Sequence, residues 1–239
     1  MHFPNDPQSR AFAAWAGAFY LTIAVSGGFA IAYVPSVLHV PGDPAATLEM
    51  IATHRGLFLA GIGGDIVMMA AEVMVTAMLF LMFRHVHAAL SLSAALARFA
   101  MVAVMAAMLF FHAGLVALAE PSSPFSAFEE EQRHALAYLM LTIHDAGVWI
   151  WQIFFTIHLL ILGRLVVTSG QYPKLLGYGL MLGGMGYLLD SAYAFAFPEA
   201  AALGHMRVAL LVIVTISEVG FAFWLLLRGP ARPAGAAPA

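Results

Sequence analysis

The chain has 239 residues and a formal net charge of −3 at pH 7, with 62% hydrophobic residues, only 10% charged ones and a mean hydropathy of +0.89. Soluble domains carry about a quarter charged residues, so this balance points to a lipid bilayer as the partner and, with no basic patch, excludes nucleic acid. Cysteine is absent, which excludes disulfides, thiolate metal sites and a cysteine nucleophile.

Apolar runs of about 20 residues match the bilayer hydrocarbon. Six occur, predicting an all-α integral membrane bundle with helices at 11–34, 57–83, 93–118, 136–166, 175–197 and 206–227 in one domain, 1–229. The first run contains "AIA" at 30–32, which resembles a cleavage site. Its apolar stretch is longer than a signal-peptide core of about 7 to 15 residues and only one Arg precedes it, so it reads as a helix. It carries no ionisable residue and is expected at the periphery. In the loop that follows, "TLEMIATHR" reads as a short interfacial helix capped by Thr47.

The second helix brings Asp65 and Glu72, seven residues apart and so on one face. The third brings Arg98 and His112, and the loop after it holds Glu129, Glu130 and Glu131, a solvated acidic run. The fourth contains "LTIHDAGVWIWQIFFTIHLLILGR", with His144, Asp145 and His158. The fifth ends its glycine-rich "GGMGYLLD" on Asp190, and the sixth carries Glu218. The glycines before Asp65 and Asp190 allow close helix approach, and their matching place in the second and fifth runs fits an inverted repeat of three plus three helices. Methionines and tryptophans read as packing. The tail, 230–239, reads as disordered.

Basic residues set the orientation. With a cytoplasmic N-terminus, Arg10, Arg84, Arg98, Arg164, Lys174, Arg228 and Arg232 lie at or near the inside, against Arg55, Arg133 and Arg207 outside. That bias predicts N-in and C-in, in a bacterial inner (cytoplasmic) membrane.

Charged groups inside a span cost about 2.5 kcal/mol or more each, so they are expected to face the bundle interior and to have partners. Measured from the outer helix ends, Asp65 and His144 lie about 12 Å deep, His112 about 9 Å and Asp190 about 10 Å, with Asp145 beside His144. Glu72, Arg98, His158 and Glu218 form an inner layer about 8 to 16 Å from the other face. That layer balances its own charge and reads as a structural ion-pair clamp. The outer layer has three Asp and two His with no Lys or Arg at its depth, so it must take protons or a cation. A divalent metal held by His144, Asp65, Asp190 and His112 satisfies it, although no ligand-spacing motif is present. Protonated Asp bonded to neutral His satisfies it too. Bis-histidine haem between His112 and His144 is disfavoured, because helices two and five lack histidine.

The strings "HDAGVWIWQIFFTIHLLILGRLVVTSGQYPKLLG", "GYLLDSAYAF", "SEVGFAFWLLLRG", "PGDPAATLEMI" and "GDIVMMAAEV" resemble a bacterial multi-helix membrane family, domain of unknown function 4386. The resemblance covers about Tyr20 to Gly229 and supplies a fold without an activity. It implies that Asp65, His144, Asp145, His158, Asp190 and Glu218 are the polar landmarks, and it gives His112 no matching place.

Three functions fit these residues. A proton-relay or ion-coupled transporter would use the outer His/Asp layer. A metal-dependent intramembrane hydrolase would activate water there. An accessory or sensory protein would use both layers only for helix register. Oligomeric state is not readable from the sequence.

Overall fold

The computed structural model describes residues 4–120 and 122–231. Among them there is no strand. The helices are α1 (Arg10–Gly27), α2 (Val34–Leu38), α3 (Pro44–Thr53), α4 (Arg55–Phe83), α5 (Ala88–Ala119), α6 (Glu130–Ser169), α7 (Lys174–Ala196) and α8 (Ala201–Leu227). Five segments are long and apolar enough to cross a membrane: Arg10–Leu38, α4, α5, α6 and α8. The sixth expected crossing, α7, is a continuous helix of 23 residues whose polar and glycine content lowers its hydropathy.

Elements end where the local chemistry ends them. Between α1 and α2 runs a π-helical turn, Gly28–Tyr33, just before Pro35. Proline has no N–H and its ring clashes with the carbonyl four residues back, and the wider turn absorbs that misfit without stopping the span. The cap of α3 corrects the expectation of Thr47. Asp43 Oδ1 accepts from Ala46 N at 2.9 Å, while Thr47 lies a turn inside and donates to the Asp43 carbonyl. The acidic run also departs from a plain loop: α6 starts at Glu130, with Glu130 and Glu131 in its first turn, where the positive end of the helix dipole favours them. Gly170, at φ 67, ends α6 in the left-handed conformation that glycine adopts without strain. Of the expected disordered tail, 232–239 lies outside the described residues, and Ala231 N donates to the Gln171 carbonyl.

Contacts group the chain into two compact units. One comprises the chain up to Thr22, Ala71–Val102 and the chain from Trp149 onward; the other comprises Ile23–Ala70 and Ala103–Val148. In the first, glycines bring backbones together. A Cβ on Gly183 would sit 2.4 Å from the Val214 nitrogen, and one on Gly17 would sit 2.5 Å from the Leu226 nitrogen. This packing gives α1 a buried face of Phe12, Ala13, Ala16, Gly17 and Tyr20. The core of the second unit is Val34, Leu38, Leu48, Ile51, Phe58, Leu115, Leu118 and Ala137.

Candidate functional site

Polar side chains gather in three clusters, and helix packing sets each one. In the second unit, α5 and α6 approach closely at Gly147, whose Cβ would meet Met108 Cγ at 2.5 Å, and at Gly114, whose Cβ would meet Met140 Sδ at 2.6 Å. These contacts bracket His112 and His144, since Met108 and Met140 each lie one turn before a histidine. Held at that spacing, the two rings stack with centroids 3.9 Å apart and planes 16° from parallel. Phe58 closes the other side of His112 at 5.2 Å. Asp145 Oδ1 lies 3.7 Å from His144 Nδ1, an ion-pair distance without a hydrogen bond, and Asp65 of α4 is within electrostatic reach of the same ring. The Asp145 side chain is 52% exposed, against 20% for His144.

The stacking limits what the pair can hold. Two imidazolium rings in face contact would repel strongly, which disfavours a doubly charged stack. Rings stacked face to face cannot point their nitrogens at an iron between them. Among the described residues, no group of three or more His, Asp or Glu side chains is arranged to hold a metal ion.

The second cluster lies in the first unit and centres on Arg98, which is fully buried. Its Nε donates to Glu72 Oε2 at 2.5 Å, and its Nη1 donates to Tyr20 Oη at 2.7 Å and to His158 Nε2 at 3.0 Å. His158 Nδ1 contacts the Ala94 carbonyl at 2.9 Å. A carbonyl only accepts and a guanidinium only donates, so this histidine is the neutral tautomer with its proton on Nδ1. The guanidinium also faces the rings of Tyr20 and Phe155, at 4.8 and 5.5 Å. Glu218 is within electrostatic reach of Arg98 but does not share these hydrogen bonds.

The third cluster corrects the expectation that the outer layer lacks a basic residue. Arg207 Nη1 donates to Asp190 Oδ1 in a salt bridge, while Gln152 Nε2 donates to Asp190 Oδ2 at 2.9 Å. Ser191 Oγ is 3.1 Å from Gln152 Oε1, and the Arg207 guanidinium lies 4.2 Å over the Tyr193 ring. The physical reason is the start of α8 at Ala201, earlier than the expected 206, so that Arg207 lies more than a turn inside the helix rather than at its outer end. Asp190 is therefore matched by a cation and lacks the unpaired charge that grouped it with the histidines.

The family described as Domain of unknown function (DUF4386) matches residues 15–229. The chain belongs to this family. An uncharacterized protein of Archaeoglobus fulgidus (strain ATCC 49558 / DSM 4304 / JCM 9628 / NBRC 100126 / VC-16) is 39% identical over 77 residues. That match is 32% of this chain and 43% of the relative, so the chain spans less than half of the curated relative it resembles. No solved structure matches it.

Within this DUF4386 chain, the structure joins His112, His144 and Asp145, with Asp65 in reach, and separately joins Glu72, Arg98 and His158. Sequence reasoning missed Tyr20, Gln152, Ser191 and Arg207. Gln152 was detectable as a polar tip on an apolar helix face, a place where a buried amide requires a partner. Arg207 required the right helix start.

Proposed function

We propose that the chain is a multi-pass protein of the bacterial cytoplasmic membrane that relays protons through its stacked histidines, in support of ion-coupled transport. Six helices cross in this reading, with α7 as the fifth and both termini inside, and residues 1–229 act as one transmembrane domain. The observation that carries it is the face-to-face pair His112 and His144, 3.9 Å apart, flanked by the half-exposed carboxylate of Asp145. A group that exchanges protons needs one side toward water and one toward the next acceptor. In the proposed relay Asp145 takes the first role and Asp65 the second. The hydrolase reading lacks a three-residue metal set among the described residues, and the purely structural reading leaves the exposure of an intramembrane Asp145 without a purpose.

The test uses full-length protein in phospholipid vesicles loaded with a pH-sensitive dye and clamped electrically with potassium and valinomycin. After an external acid jump, wild-type vesicles should acidify faster than protein-free ones. His144→Gln and Asp65→Asn should return the rate to the protein-free level. Wild-type flux equal to that of empty vesicles would sink the relay.

A further inference from the structure

Glu218 is the ionisable group of the Arg98 neighbourhood whose role the hydrogen-bond network leaves open. It sits on the inward stripe of α8, because Val214, Phe221, Ala222 and Leu225 are buried and lie three, four or seven residues away, the spacing of one helix face. Phe221, one turn on, packs edge-to-face against Tyr20 at 6.1 Å. Accordingly Glu218 is within electrostatic reach of Tyr20 on α1, Glu72 on α4, Arg98 on α5 and Tyr187 on α7, with His158 of α6 bonded behind Arg98.

Counting donors and charges shows what this neighbourhood lacks. Arg98 spends Nε on Glu72 and Nη1 on Tyr20 and His158, while its Nη2 is buried with no hydrogen-bond partner among the described residues. Glu72 neutralises the guanidinium, and His158 is neutral by its hydrogen bonds. An ionised Glu218 would add an uncompensated negative charge inside a span, which a proton or a cation must cancel. No cluster of three ligands able to hold a metal ion is present among the described residues.

We propose that Glu218 is a proton-binding carboxyl: it carries a proton while Arg98 holds Glu72, and once deprotonated it becomes the acceptor for the unused Nη2 of Arg98. In the release step the carboxyl O–H bond breaks, its electron pair stays on the carboxylate and the proton passes to a water molecule. The charge-assisted bond to the new carboxylate then satisfies the orphaned Nη2. The inference stands apart from the His112 and His144 reading, which uses other residues in the other compact unit.

Infrared difference spectra of the full chain in phospholipid nanodiscs, acid minus alkaline, test it. The wild type should show the carbonyl stretch of a protonated carboxylic acid, and Glu218→Gln, which mimics the protonated form in shape and charge, should lose that band. Glu218→Asp should shift its frequency, and Asp65→Asn should leave it unchanged, which separates this site from the histidine pair. A band that survives Glu218→Gln, or that Glu218→Asp fails to move, would overturn the proposal. So would a wild type without the band, or a band abolished by sodium at constant pH, which would make the occupant a metal cation.

Discussion

A guanidinium carries five N–H donors and cannot shed its charge, so Arg98 dictates what its apolar surroundings must contain. Glu72, Tyr20 and His158 meet that demand from three other helices. Arg98→Ala should therefore cost about 3 to 5 kcal/mol of stability, because it strands Glu72 in the interior. Combining Arg98→Met with Glu72→Leu should recover most of that loss, since two apolar side chains of similar volume need no partner. Thermal unfolding in detergent checks both, and a double variant no more stable than Arg98→Ala would assign the loss to packing. Tyr20→Phe removes one acceptor of a charged donor and should cost about 1.5 to 3 kcal/mol, the range for hydrogen bonds to charged groups. Much of this cluster is legible in the sequence, because Glu72, Arg98 and His158 stand out against apolar runs and the cost of burial forces them together. Tyr20 is not, since a tyrosine among packing aromatics shows its hydroxyl only once a donor is found beside it.

Helix–helix spacing follows from which glycines face a neighbour, and the sequence shows glycines without showing where they face. Gly183 and Gly63 both lie inside helices, yet a Cβ on Gly183 would strike the backbone of Val214 at 2.4 Å, whereas one on Gly63 meets nothing within 4 Å. Gly183→Ala should push α7 from α8 and destabilise the protein by about 1 to 3 kcal/mol, as overpacking does. Gly63→Ala should be neutral or stabilise it by up to about 1 kcal/mol, the helix-propensity gain of alanine over glycine. Comparing melting temperatures of the two variants decides the matter, and equal shifts would remove the close-approach argument. Helix centres are legible for a related reason: apolar runs announce themselves. Ends are less so, because the helix dipole that favours Glu130 and Glu131 in the first turn of α6 is invisible to hydropathy, and α8 begins at Ala201 with no side-chain cap or first-turn acid to mark it. The misplaced start of α8 hid the partner of Asp190, so an error at an element's end became an error about a site.

At the scale of the whole molecule the open quantity is the parity of crossings, and α7 decides it. Length and hydropathy qualify five segments without it. Yet a helix of 23 residues spans about 35 Å at 1.5 Å per residue, enough for the roughly 30 Å of hydrocarbon. Its low hydropathy has a structural source, since Gly177, Gly183, Gly184 and Gly186 are buried against neighbours rather than turned to lipid. A hydropathy window penalises glycine equally in either place. Reporter fusions resolve the parity directly. Fusions after Leu38, Phe125 and Ala200 should read as outside, and those after His87, Gln171 and Pro230 as inside. The informative comparison is Gln171 against Ala200, on the two sides of α7. Opposite readouts there make the total even, and Gln171 inside with Ala200 outside would place both termini in the cytoplasm. The same readout on both sides would leave α7 within one half of the membrane, put the C-terminus outside if the N-terminus is inside, and move the Asp190 and Arg207 pair to the cytoplasmic face.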